Sequence, residues 1–593
     1  ILTDRHFGVE VRFFRVTTNM SATFDFVVVG GGASGAVVAT RLSEDPAVSV
    51  LLLEAGLAPP PESAIPLACG SLQGTDIDWQ FRDHSDGGVA LGFENQQMRL
   101  PCGKALGGST CINFMAYVRG HPHDYDSWAA SGAKGWSHEE VLPYFKKSEN
   151  FKPTPGVVCD VDRHGSNGPW TVTHRRTPYE GTNSFLRAVE ELGFTVGDYN
   201  GAARVTAPRG VAGHHQFTIN EGKRVSTYTA YLQPVMDTRS NLTVVTGARA
   251  SRLLLSDEEV VGVEYVTGTA TERVHATKEV VVSCGTYQSP WLLLRSGIGP
   301  AAELASAGVD CVVDSPHVGK HLKDHLYLTI AFACEQGHAL GAIASSLGLT
   351  DDKKPLEAYL ETGEGIPATS NYDASLFYNT GVSKRSAHTH DAQLSFIPTG
   401  FNPEFFAVGH GLEDIAEHLD VDAWFHLEEP TAMLLPQLLQ PESEGEVTLD
   451  GTELSGPRIK HNYLTAEADV KSFIANCKTS IDIKAKLGET QRVGEVLIPK
   501  KLAAQYGTDL TNDALWEAWI RHYANTTYHP VSTCRIGDVV DERCRVKGVG
   551  RLRVVDASVM PDLPSGNTQA PCVMIGEKGA AMIREDHGFK SNI

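Results

Sequence analysis

The first residues able to do chemistry form a glycine pattern near the front of the chain. Phe24–Val29 is almost continuously apolar and β-branched, which reads as a strand buried on both faces. It runs directly into Gly30-Gly31-Gly32-Ala33-Ser34-Gly35, a match to G-x-G-x-x-G. Ala36–Leu42 continues as a helix with small residues on one face, and a second strand, Val48–Leu53, ends on Glu54. In a dinucleotide site Gly30 permits the tight turn, Gly32 lets the backbone approach a pyrophosphate, and Gly35 lets helix and strand close up. The helix N-terminus, from Ala33 and Ser34 onward, offers N–H groups and partial positive charge to phosphates. Glu54 can accept hydrogen bonds from ribose hydroxyls. A lone G-x-G-x-x-G is a weak signal, but strand, glycines, helix, strand and acid in this order predict nucleotide binding. The pattern by itself does not separate FAD from a nicotinamide cofactor.

Further segments make that separation. Arg99-Leu100-Pro101-Cys102-Gly103-Lys104-Ala105-Leu106-Gly107-Gly108-Ser109-Thr110-Cys111-Ile112-Asn113 is followed by Tyr117-Val118-Arg119-Gly120-His121. Ser283–Pro290 leads into Ser296-Gly297-Ile298-Gly299-Pro300, then Val318-Gly319-Lys320-His321-Leu322-Lys323-Asp324-His325. Near the end come Tyr528-His529-Pro530-Val531-Ser532-Thr533-Cys534 and Ser565-Gly566-Asn567-Thr568-Gln569-Ala570-Pro571. In this order, from Phe24 to Arg584, the chain resembles the glucose–methanol–choline (GMC) oxidoreductases, with choline-dehydrogenase-like character. His321 stands where that family usually has Asn, which puts a local turn in doubt.

The resemblance implies bound FAD, with Leu106, Gly108, Asn113 and Ala116 against the flavin and Ala250 packing on the adenine. Paired glycines let backbone approach a flat ring, and Asn113 carries both donor and acceptor for its polar edge. Leu552–Ser558, including Asp556 and Ala557, is expected as the strand and turn that bring the chain back to the flavin, with Thr568 beside it. Some relatives bond the flavin covalently through a His next to the position of Asn113. Ile112 cannot make that bond, so non-covalent FAD is expected.

His529 and Asn567 match the family's catalytic pair. Alcohol oxidation removes a proton from oxygen and a hydride from carbon. An imidazole with an unperturbed pKa near ~6.5 can take the proton, flavin N5 takes the hydride, and the Asn567 amide can hold the oxygen in line. The expected activity is FAD-dependent oxidation of a small-molecule alcohol to an aldehyde or ketone, with oxygen or another electron acceptor; an FAD-dependent lyase or photodecarboxylase of the same family is the alternative. Oxidases of this family carry an apolar residue two before the catalytic His, where this chain has Thr527, which leans away from a fast oxidase. His121, His123, His214, His215 and His410 are expected to be surface or structural, and Cys534 to be packing. No metal site is expected.

Positioning these residues requires an α/β FAD-binding Rossmann-like domain with an α+β substrate-binding domain built on an antiparallel sheet. The FAD domain is expected from residues 23–152, 238–328 and 523–593, and the substrate domain from 153–237 and 329–522. Asn241–Val245 and Gly262–Tyr265 read as paired strands near the adenine. Alternation in Gly445–Leu449 and Arg458–Tyr463 suggests the antiparallel sheet that floors the substrate pocket. Phe401, Phe405, Phe406, Trp424 and Phe425 fill a core or line that pocket.

The chain has 593 residues, 41% of them hydrophobic, enough to bury a large core. Its net charge of −21 repels nucleic acid and anionic membranes, so neither is an expected partner. Its 11 cysteines include no CxxC pair, which argues against a cysteine zinc site and a disulfide framework and fits a reducing compartment, cytoplasm or organelle lumen. No apolar stretch is long enough to span a bilayer. Residues 1–22 are charged and lack a signal-peptide core, so an extension is expected there, with Met20 as a start. The final Ser591-Asn592-Ile593 is only faintly similar to a peroxisomal address.

Overall fold

The structure is a computed structural model that describes residues 22–85, 87–176, 179–334, 351–383, 388–398, 431–451, 456–489 and 492–589. His410 and the aromatic residues at 401, 405, 406, 424 and 425 lie outside the described residues.

Thr23–Val29 is the central strand of a seven-stranded sheet among the described residues. Phe26, Val27 and Val28 are fully buried, as an unbroken apolar strand covered on both faces requires. It pairs in parallel with Val50–Leu53 on one side and Ala270–Val282 on the other. Leu242–Val245 and Leu552–Val554 extend the parallel part outward. Ala248–Ser256 and Glu259–Thr267 complete it as antiparallel strands. The expected pairing of Asn241–Val245 with Gly262–Tyr265 is therefore not observed. Leu242–Val245 adds to Val50–Leu53, while Glu259–Thr267 pairs with its sequence neighbours through short turns.

The helix Gly35–Leu42 packs against the C-terminal helix Gln569–Asp586. A forked ion pair from Arg41 to the buried Glu577 and a hydrogen bond from Ser34 Oγ to the Cys572 carbonyl (2.7 Å) tie the two together. This contact carries residues 567–568, at the start of the second helix, to the glycine loop at residues 30–35.

A mostly antiparallel sheet, nine-stranded among the described residues, forms the second body. Its order is Val493–Val496, Ile330–Cys334, Thr431–Leu438, Ala392–Ile397, Ala374–Tyr378, Gly210–His214 and Thr195–Val196, with Leu326–Tyr327 paired to Thr431–Leu438 and Asn525–Thr526 paired to Leu326–Tyr327. Alternation decides its faces. Leu376, Leu394, Phe396 and Leu434 pack beneath the helices Glu180–Glu191 and Glu467–Leu487, against Phe185, Ile483 and Leu487. Ser375, Gln393 and Ser395 alternate with them and face the other way. The expected floor strands are elsewhere: Glu446–Leu449 and Pro457–Lys460 form a separate two-stranded ribbon. Its Val447 and Ile459 pack on Leu100, Tyr287 and Leu322. Alternation marks a half-buried strand without saying which sheet it joins. Among the described residues no helix is long and apolar enough to cross a membrane.

Candidate active site

Four of the five parallel strands end at one cavity. Val29 and Gly30, Leu53 and Glu54, Ser283 and Cys284, and Asp556 and Ala557 line it from four successive strand ends. In open α/β sheets ligands bind outside these carboxyl ends. Gly32, Ala33, Ser34, Gly108, Asn113, Ala116, Ala250, Thr568, His529 and Asn567 line the same cavity, so most of the sequence-predicted residues are brought together.

The glycines test whether a nucleotide fits. A Cβ on Gly35 would stand 1.9 Å from the Gly30 carbonyl oxygen, so that glycine is required by the protein's own packing. A Cβ on Gly32 would meet nothing nearer than Gly108 Cα at 3.9 Å. The chain itself does not require Gly32 to be bare, whereas a ligand drawn against the loop does. The residues present fit FAD: Gly32–Ser34 would hold the pyrophosphate, Glu54 the ribose, and Ala250 with Trp79 the adenine. Trp79 and Arg249, whose guanidinium carbon lies 5.4 Å from the Trp79 ring centre, line that end and were not identified from sequence.

Several expected roles change. Gly35 and Leu106 are not part of the lining. Gly35 lies beneath the loop, and Leu106 is buried behind it, beside Gly31. Glu54 accepts N–H bonds from Gly31 and Gly56, both at 2.7 Å, so it braces the glycine loop as well as facing the cavity. Burial pushes its carboxyl pKa up, partly offset by these bonds. Asn113 is largely committed to the protein: its Oδ1 accepts from Met115 N–H and Arg224, and its Nδ2 donates to Gln569 (2.8 Å). Asp556 accepts from the Gly285 and Ser558 amides and the Ser289 hydroxyl, which fixes the turn after its strand.

His529 sits at the opposite end, 7% exposed. The preceding Tyr528 has φ 65°, a left-handed conformation costly for a bulky aromatic residue. Asp324 holds this strained turn. Its Oδ1 accepts the His529 and His325 amides, each at 2.8 Å, and its Oδ2 accepts the Tyr463 and Thr526 hydroxyls. Burial raises the Asp324 pKa to about 6 despite these donors. His325 Nε2 donates to the Leu439 carbonyl (2.9 Å), so its Nδ1 is an acceptor, and that atom lies 3.0 Å from His529 Nδ1. His529 must then carry its proton on Nδ1, leaving Nε2 as the acceptor, which takes a hydrogen bond from the Asn567 amide. Asn567 Nδ2 is 3.1 Å from that Nε2. Burial pushes the His529 imidazole down to about 3, so it is neutral across the physiological range.

The loop carrying Asn567 is anchored two residues earlier. Ser565 donates its N–H and hydroxyl to Asp124 Oδ2 (2.8 and 2.7 Å), and Arg204 donates to its carbonyl. Asp324 and His325 were visible in the sequence as part of a motif, but nothing there assigned them to His529.

The cavity floor is the polar face of the nine-stranded sheet. Gln393 and Gln437 are directly paired across neighbouring strands, and both donate to Ser395 Oγ. Ser395 meets Ser375 (2.8 Å), which meets His215 Nε2 (2.7 Å). His215, expected to be surface or structural, thus belongs to the cavity lining. Burial pushes it to about 3. Phe114, Tyr327, Tyr372 and Tyr528 complete this end. The alternation Gln393-Leu394-Ser395-Phe396 is a sequence signal that could have marked the floor, but the floor was not identified from it. His321 resolves the doubtful turn: at φ 63° it occupies a left-handed position, the kind Asn tolerates best among non-glycine residues.

Comparisons with known proteins identify the family. The GMC oxidoreductase family models match residues 24–327 and 441–576. An uncharacterised GMC-type oxidoreductase of Mycobacterium tuberculosis is 35% identical over 577 residues, covering 95% of this chain and all of the relative. Oxygen-dependent choline dehydrogenase of Photobacterium profundum is 31% identical over 583 residues, covering 95% and 93%. The crystal structure of pyridoxine 4-oxidase from Mesorbium loti superposes with a TM-score of 0.77 at 28% identity, covering 96% of this chain and 100% of that one. The chain belongs to the GMC oxidoreductase family, whose members include FAD-dependent oxidoreductases acting on CH–OH donors, such as choline dehydrogenase and glucose dehydrogenase.

Proposed function

We propose that the protein oxidises an uncharged alcohol to an aldehyde or ketone, with His529 as the base. The observation that carries this reading is the array His325–His529–Asn567, in which one imidazole fixes the tautomer of the other and leaves Nε2 beside an amide donor. His529 Nε2 takes the hydroxyl proton, and Asn567 Nδ2 donates to the oxygen as charge builds on it. Bound FAD, held non-covalently, supplies the acceptor for the hydride leaving carbon.

The floor supports an uncharged substrate. Among the described lining residues the charged side chains are Glu54, Arg249 and Asp556, at the ends and edge of the parallel sheet. Around His529 stand phenols, a phenyl ring, amides and a neutral imidazole. Thr527, whose Oγ1 is buried without a partner, supports an electron acceptor other than oxygen.

An anaerobic screen of neutral aryl and aliphatic alcohols against choline tests this, followed by turnover with oxygen or an artificial dye. Bleaching of the flavin by neutral alcohols and faster dye than oxygen turnover are expected. Bleaching by choline alone overturns the substrate reading. Bleaching by none of them moves the activity to the lyase or photochemical branch of the family.

A further inference from the structure

We propose that His317, His321 and Asp538 form a binding site for one divalent transition-metal ion, zinc being the natural fit, on the outer side of the segment that leads to His529. One ligand atom from each of the three lies within 4.8 Å of the others. His317 Nδ1 and His321 Nε2 face each other at 3.0 Å, and His321 Nε2 is 3.9 Å from Asp538 Oδ2. Zinc–nitrogen and zinc–oxygen bonds of about 2.0–2.2 Å in a tetrahedron set ligand atoms roughly 3.3–3.6 Å apart. The two separations at His321 bracket that value. Two imidazole nitrogens this close repel unless a proton or a cation lies between them.

The second observation is the group behind His321. Its Nδ1 is 2.7 Å from Glu444 Oε2, so the ring is turned with Nε2 toward His317 and Asp538. A carboxylate behind a ligating imidazole is the usual means of fixing its tautomer and raising its basicity. The three segments are also locked to one another by backbone bonds: Gly319 N–H to Thr533, Val447 N–H to Gly319 (2.6 Å), and Leu322 N–H to Gly445 (3.0 Å). The ligands therefore need little reorganisation.

The neighbouring charges leave the site available. Lys320 is paired with Glu303 and Glu446, and Lys323 with Asp562 and, at 3.6 Å, with the other oxygen of Glu444, which leaves Glu444 Oε2 on His321. Arg535 donates to Asp538 Oδ2, but a carboxylate has about four lone-pair sites and is not exhausted by one donor. All three ligand residues are half-buried, so the fourth position is open to water. Two nitrogens and one oxygen suit zinc, nickel or copper rather than calcium or magnesium. Three and four residues beyond His321, Asp324 and His325 grip His529, so an ion here would tie down the strap that positions the proposed base.

Zinc chloride is titrated into the FAD-loaded full-length protein by calorimetry, with equilibrium dialysis for stoichiometry and cobalt chloride for visible d–d bands. One saturable equivalent is expected in the parent. His321→Asn keeps a side chain suited to the left-handed turn, and it should weaken binding at least tenfold, as should His317→Ala and Asp538→Asn. Glu444→Gln should weaken it by about 10–100-fold, the usual cost of losing such a partner. His123→Ala, a remote histidine, should leave binding unchanged. Absence of saturable zinc binding in the parent overturns the site, and so does equal binding by the parent and His321→Asn. Flavin reduction is not part of the readout, so failure here is distinct from failure of the proposed activity.

Discussion

His325 and His529 meet through their Nδ1 atoms at 3.0 Å, with ring planes 89° apart. The Leu439 carbonyl sets the His325 tautomer, and His325 in turn sets that of His529. His325→Phe keeps a ring in this fully buried position and removes the acceptor. Flavin reduction under anaerobic stopped flow should slow at least tenfold, toward the ~10⁴-fold seen when a catalytic His is left in the wrong tautomer. Retained FAD and an unchanged substrate dissociation constant would show that positioning, not binding, was lost. A reduction rate equal to the parent's removes His325 from this role.

Burial pushes His529 down to about 3, which fixes the sign of its pH effect. Only the neutral ring accepts a proton, so the active form persists far below the unperturbed value near ~6.5. The reduction rate should therefore show no half-loss near 6.5 and should fall only toward lower pH. Below about 6.5 the unfolded chain takes up a proton at this residue that the folded chain does not. Its contribution to stability is thus present above 6.5 and is lost as pH falls toward 3. The pH profile of flavin reduction between 5 and 8 checks the kinetic half, and a sigmoid centred at 6.5 contradicts it.

His529→Ala should keep FAD bound and lower the reduction rate by at least about 10²-fold, the lower end for losing a general base. Asn567→Ala should also slow it. Because Asn567 Nδ2 lies 3.1 Å from His529 Nε2, the two act on one oxygen, and the double variant should lose less than the sum of the single losses. Full additivity in the cycle would mean that they act separately.

Gly35→Ala and Gly32→Ala should fail in different ways. The first places a methyl 1.9 Å from the Gly30 carbonyl oxygen and should lower the melting temperature even without cofactor. The second has room in the protein and should leave the apo melting temperature near the parent value while weakening FAD binding by one or more decades. Apo thermal melts and flavin titrations separate the two. Equal FAD affinity in Gly32→Ala would move the pyrophosphate away from this loop.

Acid precipitation should release all FAD into the supernatant. Ile112 lines the cavity where some relatives have a bonded His, and it offers no nucleophile. Burial pushes the lining thiols Cys102 and Cys572 up to about 12 and Cys284 well above the usual thiol range, so none is a ready thiolate. Flavin left on the denatured chain would contradict non-covalent binding.

The nucleotide cradle was legible in the sequence because it is local. Strand, Gly30–Gly35 loop, helix and Glu54 occupy one short stretch, and each residue type answers to a backbone or hydrogen-bond requirement that neighbouring residues impose. His529 and Asn567 were legible as a pair by their motifs, although nothing in their types alone says that they touch. The remainder depends on contacts between distant segments. Packing of Gln569–Asp586 on Gly35–Leu42 brings Asn567 to the cradle. Asp324 and His325, from a segment some 200 positions upstream, hold the strained Tyr528-His529 turn. Alternation marked Gly445–Leu449 and Arg458–Tyr463 as strand-like, and strands lie there, but the same alternation at Gln393–Phe396 built the floor. A period of two fixes which side chains share a face, and only tertiary pairing decides which face meets the cavity.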